Sequence, residues 1–362
     1  SKLCHCPRSV STLRHTSKNP NRRQAVNIFP RSLRLVGLAL ATTALFATTL
    51  PAHAARTVKI SMQLGLNHPL GENVAYFKEQ VEKLSNNEIQ VQIYESAQLF
   101  KGSEIPQAVS SGAVDMGMVL VDEYAGTLPA TGLFSVAFLF PDYDVLARAA
   151  APDSPVRQEL DELIRSTGTR VLWWQDYGPI QLIAKKEPVV MPADMKGKKV
   201  RVLGKPSGDF IDAVGAVPVK IGGSEQFIAY QRGTVDIGMT GTTAMQSRKL
   251  YEVMNYMTIT NHAQVEFLMV INDKLWDSLS DDERQWMTEA ARAAEDKMRA
   301  ETRDQNVEAE QWLAQNTSLK ITHLDDAQIK AWQDAAAPAI DAYVKEAGPV
   351  GQKLIDELKK LY

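Results

Sequence analysis

Residues 102–118 read GSEIPQAVSSGAVDMGM, and residues 223–239 read GSEQFIAYQRGTVDIGM. Each copy has Gly-Ser-Glu, seven residues, then Gly-x-Val-Asp-x-Gly-Met. A chain that carries one local unit twice must give it two comparable surroundings. That favours two α/β lobes, each presenting the end of a short strand to a shared cleft. Within each copy, Ser103 and Ser224 can cap a short helix. Gly112 and Gly233 suit the left-handed residue that ends it. Residues 114–118 and 235–239 then read as buried strands, in which Gly117 and Gly238 let another backbone or a ligand come close.

The surrounding pattern alternates strand and helix. Residues 57–64 and 88–94 read as strands flanking an amphipathic helix over 70–84. Residues 143–166 read as helix with a break at Pro155, and 169–177 as a strand entering the second lobe. A strand in KGKKVRVL (196–203) precedes a helix over 208–214 capped by Ser207, and 266–272 is a strand returning to the first lobe. SDDE at 280–283 is a capping box. It opens a charged segment reaching Asn316 without Gly or Pro, roughly 54 Å long if helical. Residues 325–362 add further helices.

The N-terminus differs in character. Residues 1–34 hold eight basic residues and no acidic one, residues 35–50 are uncharged, and Ala52-His53-Ala54 has the A-x-A form of a cleavage site. The apolar run is short for a bilayer span, so residues 1–54 read as a secretory signal peptide. Both cysteines, Cys4 and Cys6, fall inside it. The exported chain would then have no disulfides, and its core must suffice. About 308 residues remain, enough for two lobes. They carry 32 basic against 43 acidic residues, a net charge of −11, which disfavours nucleic acid and anionic lipid as partners. With no cysteine and only His68, His262 and His323 left, no His/Cys metal site is expected, and no cofactor.

SAQLF (96–100), EYAGTLPA (123–130), DMKGKKVRV (194–202), GAVPVKI (215–221), RKLYEV (248–253) and TNH (260–262) accompany the two repeats. In this order and spacing, residues 57 to about 345 resemble the solute-binding proteins of tripartite ATP-independent periplasmic (TRAP) transporters, the dicarboxylate-receptor-like family. The resemblance implies a two-lobed, periplasmic-binding-protein-like α/β fold with the ligand cleft between the lobes and a long helix spanning both. The expected division is 55–177 plus about 267–305 for lobe I, and 178–266 plus about 306–362 for lobe II. It further implies a periplasmic receptor, expected to be a monomer, that delivers a small organic acid to integral-membrane subunits driven by an ion gradient.

Side chains alternate across a strand, so Arg201 faces away from Val200 and Val202. By itself it would read as an exposed strand residue. The resemblance makes it the fork that holds a ligand carboxylate. Many relatives carry a second arginine where this chain has Ile180, and an acidic or amide motif where it has Thr240, Thr242 and Thr243. The expected pocket has one anion anchor, hydroxyl donors and apolar walls, suiting a hydroxy- or keto-monocarboxylate better than a compact dicarboxylate. Tyr177 and Trp174 are candidate aromatic contacts; Trp173 and Trp174 cannot both face the cleft, and core packing is the alternative for either. Gln63, Asn67 and His68 follow the first strand as candidate polar contacts, with helix capping the alternative for Asn67. Asp122 or Glu123 could receive a ligand hydroxyl or sit at a helix start. Gln264 and Glu266 could line the cleft or the hinge.

Two other classes compete. A periplasmic enzyme could use such a fold, but G-x-S-x-G, H-E-x-x-H and P-loop motifs are missing, leaving His68 and His262 as imidazole bases. A secreted sensor or scaffold would bind no small molecule.

Overall fold

The computed structural model describes residues 55–362; the expected leader, with Cys4 and Cys6, lies outside the described residues. The chain begins with β1 (Arg56–Ser61), α1 (Pro69–Leu84), β2 (Ile89–Tyr94), α2 (Ile105–Ser111) and β3 (Met116–Leu120). Helices α3 (Tyr143–Ala149) and α4 (Pro155–Arg165) lead into the long β4 (Thr169–Ala184). A second β-α-β-α-β unit follows: β5 (Lys199–Val202), α5 (Lys205–Ala213), β6 (Val217–Lys220), α6 (Gln226–Arg232) and β7 (Ile237–Gly241). Then come α7 (Thr242–Ser247), the long β8 (Tyr256–Asn272), α8 (Asp273–Ser278), α9 (Asp281–Asn316), β9 (Lys320–His323) and α10 (Asp326–Lys359).

All strands join one sheet in the order β2-β1-β3-β8-β4-β7-β5-β6, with β9 on β8. That order reads the same from either edge. β1 lies between β2 and β3, parallel to both, as β5 lies between β6 and β7. β8 runs antiparallel on β3, β4 antiparallel on β7, and β4 and β8 pair with each other. The two sequence repeats have become α2–β3 and α6–β7, equivalent positions in the two halves.

Ser103 and Ser224 do not cap. Each copy opens with a 3-10 turn, Gly102–Glu104 and Gly223–Glu225, that runs straight into the helix, so the residues preceding α2 and α6 are already helical and no side chain caps them. Gly112 and Gly233 do end their helices left-handed, at φ +79° and +68°. A Cβ on Gly117 would lie 2.2 Å from Ile105 Cγ2, and one on Gly238 2.2 Å from the Tyr230 hydroxyl. Each strand therefore lies against its own helix without a side chain between them.

Other departures have local causes. β4 continues past Tyr177 because Gly178 (φ +99°) takes up a register shift that carries Pro179 within the strand. Ser207 lies inside α5 rather than ahead of it, and its Oγ accepts from the Leu203 and Gly204 N–H groups, both at 3.0 Å. Ser280 and Glu283 form the expected capping box, and α9 packs on α1, β4 and α7, spanning both halves. β9 was not foreseen. In α10, Trp332 donates to the Val190 carbonyl at 2.8 Å and Tyr343 to that of Ala130 at 2.9 Å. Leu354 and Leu358 join the core around Phe134, so this last helix leans on both halves. Among the described residues, no helix is long and apolar enough to cross a membrane.

The glycine contacts are testable. Gly117→Ala puts a methyl group into the Ile105 side chain, and such overpacking costs about 1–3 kcal/mol. Urea unfolding of the purified variant measures it; a midpoint equal to the parent's would mean that Ile105 yields freely.

Candidate functional site

Arg201 stands on the short inner strand β5 and is 4% exposed. Its Nε donates to the Ile221 carbonyl at 2.9 Å and its Nη1 to that of Met239 at 2.6 Å. From the same half, Arg248 is the residue that ends α7, where a cation suits the helix dipole. Its Nη2 donates to the Gln63 carbonyl at 3.3 Å, and its Nε is buried without a partner. Among the described residues neither guanidinium meets a carboxylate. Burial, aided by the like charge of Arg201 and opposed by Tyr177 and Tyr230, pulls Arg248 down to about 10. A buried charge without a counter-ion is costly.

Both arginines line one cavity of about 30 Å³, together with Gln63, Glu123, Tyr177, Ile180 and Thr240. Glu123 is ion-paired with Lys220 at 3.1 Å. The Tyr177 hydroxyl accepts from the Gly241 N–H at 3.1 Å, and a Cβ on Gly241 would lie 2.3 Å from the Tyr177 ring. The Gln63 amide sits against the first glycine of both repeats: Cβ atoms there would lie 2.6 Å (Gly102) and 2.2 Å (Gly223) from it. Ile180 does face this cavity.

The remaining candidates lie elsewhere. Trp174 packs on Phe134 at 5.3 Å between ring centres and donates to Asp161 at 2.9 Å, while Trp173 packs on Phe77 at 4.5 Å. Both are core residues, in clusters on opposite sides of the sheet. Asn67 does not line the cavity; its amide donates to the Ser247 carbonyl at 2.9 Å. His68, not Asn67, caps α1: its Nδ1 accepts from the Leu70 N–H at 3.0 Å. Its Nε2 then carries the proton and donates to Thr243 at 3.1 Å. The ring also stacks on Tyr177 at 5.5 Å, so His68 supports the cavity wall from behind. Gln264 and Thr242 line a groove on the other face of the long strands. Alternation explains the Gln264 difference, since Val265 and Phe267 take the cavity face. Asp122 turns toward a separate cavity of about 240 Å³, where burial pushes it up to about 7.

Arg248 was missed by sequence reasoning. It opens the stretch RKLYEV, but only the fold brings it beside Arg201 at one cavity. His68 and His262 are pulled down to about 3, mainly by burial, far from the pKa a general base needs near neutrality. Among the described residues, no group of three or more His, Cys, Asp or Glu side chains could hold a metal ion.

A family model described as bacterial extracellular solute-binding protein, family 7 (DctP), matches residues 60–346. The C4-dicarboxylate-binding periplasmic protein DctP of Rhodobacter capsulatus is 28% identical over 320 residues, covering 87% of this chain and 95% of that protein. The 2,3-diketo-L-gulonate-binding periplasmic protein YiaO of Escherichia coli is 25% identical over 332 residues, 90% of this chain and 99% of the relative. Among solved structures, a TRAP periplasmic solute binding protein from Shewanella oneidensis with bound succinate superposes with a TM-score of 0.80 at 26% identity, covering 85% of this chain and 99% of that one.

The buried histidines carry a pH signature. In the unfolded chain each titrates near 6.5, whereas in the fold each stays neutral down to about 3. Their contribution to stability is therefore present above pH 6.5 and lost as pH falls through that window. His68→Gln should lose less stability on acidification than the parent, read from urea unfolding at a series of pH values. Parallel curves would mean that His68 titrates normally in the fold.

Proposed function

The chain belongs to bacterial extracellular solute-binding protein family 7, and from that premise we propose that its ligand is a compact organic dicarboxylate held between Arg201 and Arg248. It is a solute-binding receptor for organic acids, working with the membrane subunits of a TRAP transporter. The observation that carries the choice of ligand is the pair of guanidiniums facing one cavity and bonded only to backbone carbonyls among the described residues. Glu123, the one carboxylate lining the cavity, is already balanced by Lys220. A dianion neutralises both arginines; a monocarboxylate leaves one charge uncompensated. Ile180 points to a monocarboxylate, but Arg248 brings a second cation to the same cavity. The names of the relatives include C4-dicarboxylate and succinate binders and also a 2,3-diketo-L-gulonate binder.

The proposal puts the boundary between lobes where β4 and β8 cross, near residues 177 and 266, with α10 shared. It takes the receptor to act as a periplasmic monomer once residues 1–54 are removed. Closure about these strands is supported by bonds that join the halves: Lys101 to Glu225 at 2.8 Å, Asn67 to the Ser247 carbonyl, and His68 to Thr243.

Calorimetry with succinate, lactate and galactonate tests the ligand class. Succinate should bind most tightly; lactate binding as tightly would refute the dianion reading. Arg201→Ala should weaken succinate binding by about 3–5 kcal/mol, or roughly two to three and a half decades. Arg248→Met should weaken succinate more than lactate. Full succinate affinity in folded Arg201→Ala would mean that the site lies elsewhere.

A further inference from the structure

Behind the cleft, on the other face of the β4–β8 pair, lies a cluster of acids that the ligand site does not use. Asp176 and Glu266 are direct cross-strand partners, 1% and 0% exposed. Asp176 is well provided with donors: its Oδ1 accepts from Arg299 Nη2 at 3.2 Å, and its Oδ2 from the Tyr143 hydroxyl. Glu266 has none. Neither of its carboxylate oxygens has a hydrogen-bond partner among the described residues. Arg299, the nearest cation, divides its Nη groups between Asp176 and Glu295 at 3.2 Å each and leaves its Nε without a partner, and Glu295 in turn pairs with Arg157. A buried carboxylate with neither donor nor counter-ion is expensive, and two adjacent ones resist ionising together. A single proton removes both costs, with the Glu266 O–H donating to Asp176.

We propose that Asp176 and Glu266 form a proton-binding site, in which one shared proton ties β4 to β8 where the strands pass from one half of the protein to the other. The charged and titratable groups around Glu266 are Asp176 from β4, Arg299 and Glu295 from α9, and Tyr143 from α3. Burial first, then the Asp176 charge, pushes Glu266 well above the ordinary carboxyl range, with Arg299 opposing. Burial and Asp176 also push Tyr143 up, so it stays a donor. In the fold Glu266 holds its proton at pH values where the unfolded chain has released it. The stability it contributes is complete below about pH 4.5 and is lost as pH rises through the raised value. Loss of the proton sets three neighbouring carboxylates, Asp176, Glu266 and Glu295, against Arg299 and Arg157. This site does not depend on the identity of the ligand.

Glu266→Gln keeps the shape and offers Asp176 an amide N–H without a charge. Melting temperatures of the parent and the variant, taken from mildly acid to alkaline pH, form the test. The parent should lose melting temperature steadily, and the variant less. Asp122 and Asp161 are present in both proteins, so the difference isolates Glu266. At neutral pH, the infrared C=O band of protonated carboxyl groups should lose intensity in the variant. If the amide variant does not fold, Glu266→Met removes the acid and serves both readouts. Matching pH dependence together with an unchanged infrared band would overturn the proposal.

Discussion

The antiparallel pairing of β4 with β8 runs from Thr169 opposite Asn272 to Ala184 opposite Tyr256 and crosses the middle of the sheet. Because side chains alternate, the pair offers two chemically different faces. One carries Tyr177, Ile180, Val265 and Phe267 toward the arginines; the other carries Asp176, Gln264 and Glu266 toward α9 and the groove beside it. A slip of one residue in either strand would exchange the faces. The register is held by the shift at Gly178, where a Cβ would lie 2.7 Å from Asn306, and by the Thr302 hydroxyl on the Asp176 carbonyl at 3.1 Å. The long helix α9 thus sets the register of the strands that build the ligand cavity.

Electrostatics separates the surface of the protein from the proposed ligand site. Residues 55–362 carry a net charge of −11, which disfavours an anion at a distance, though salt screens this beyond about 8–10 Å. Two arginines held by neutral carbonyls make the opposite environment inside. In the proposed reading, an anionic ligand gains from that environment only when it reaches Arg201 and Arg248. Surface charge and site charge do separate work.

Much of the fold was legible because it rests on local rules. The repeat mapped onto α2–β3 and α6–β7, since a helix-ending glycine and a small-residue strand are short-range features. The Ser280 capping box located a 36-residue helix. Arg201 was legible through alternation together with the family resemblance. What escaped was long-range. Arg248 acquires its setting only when α7 folds back over Gln63. Trp173 and Trp174 could not be assigned before the sheet was known to be covered on both faces. β4 and β8 were read too short, because Gly178 and Pro179 look like a strand end and turned out to be a bulge within it.

Gly102 and Gly223 open the two repeats, one in each half, and both press their backbones against the same Gln63 amide. That arrangement is a mechanical stop. If the halves close as proposed, their approach ends when the two glycines meet that amide, and the Gln63 side chain alone lies between them. The smallest volume the receptor can enclose is then fixed by its backbone. An acid too bulky for that volume props the halves apart instead of reshaping the walls, so the same contact that limits travel can act as the gauge by which ligands are sorted by size.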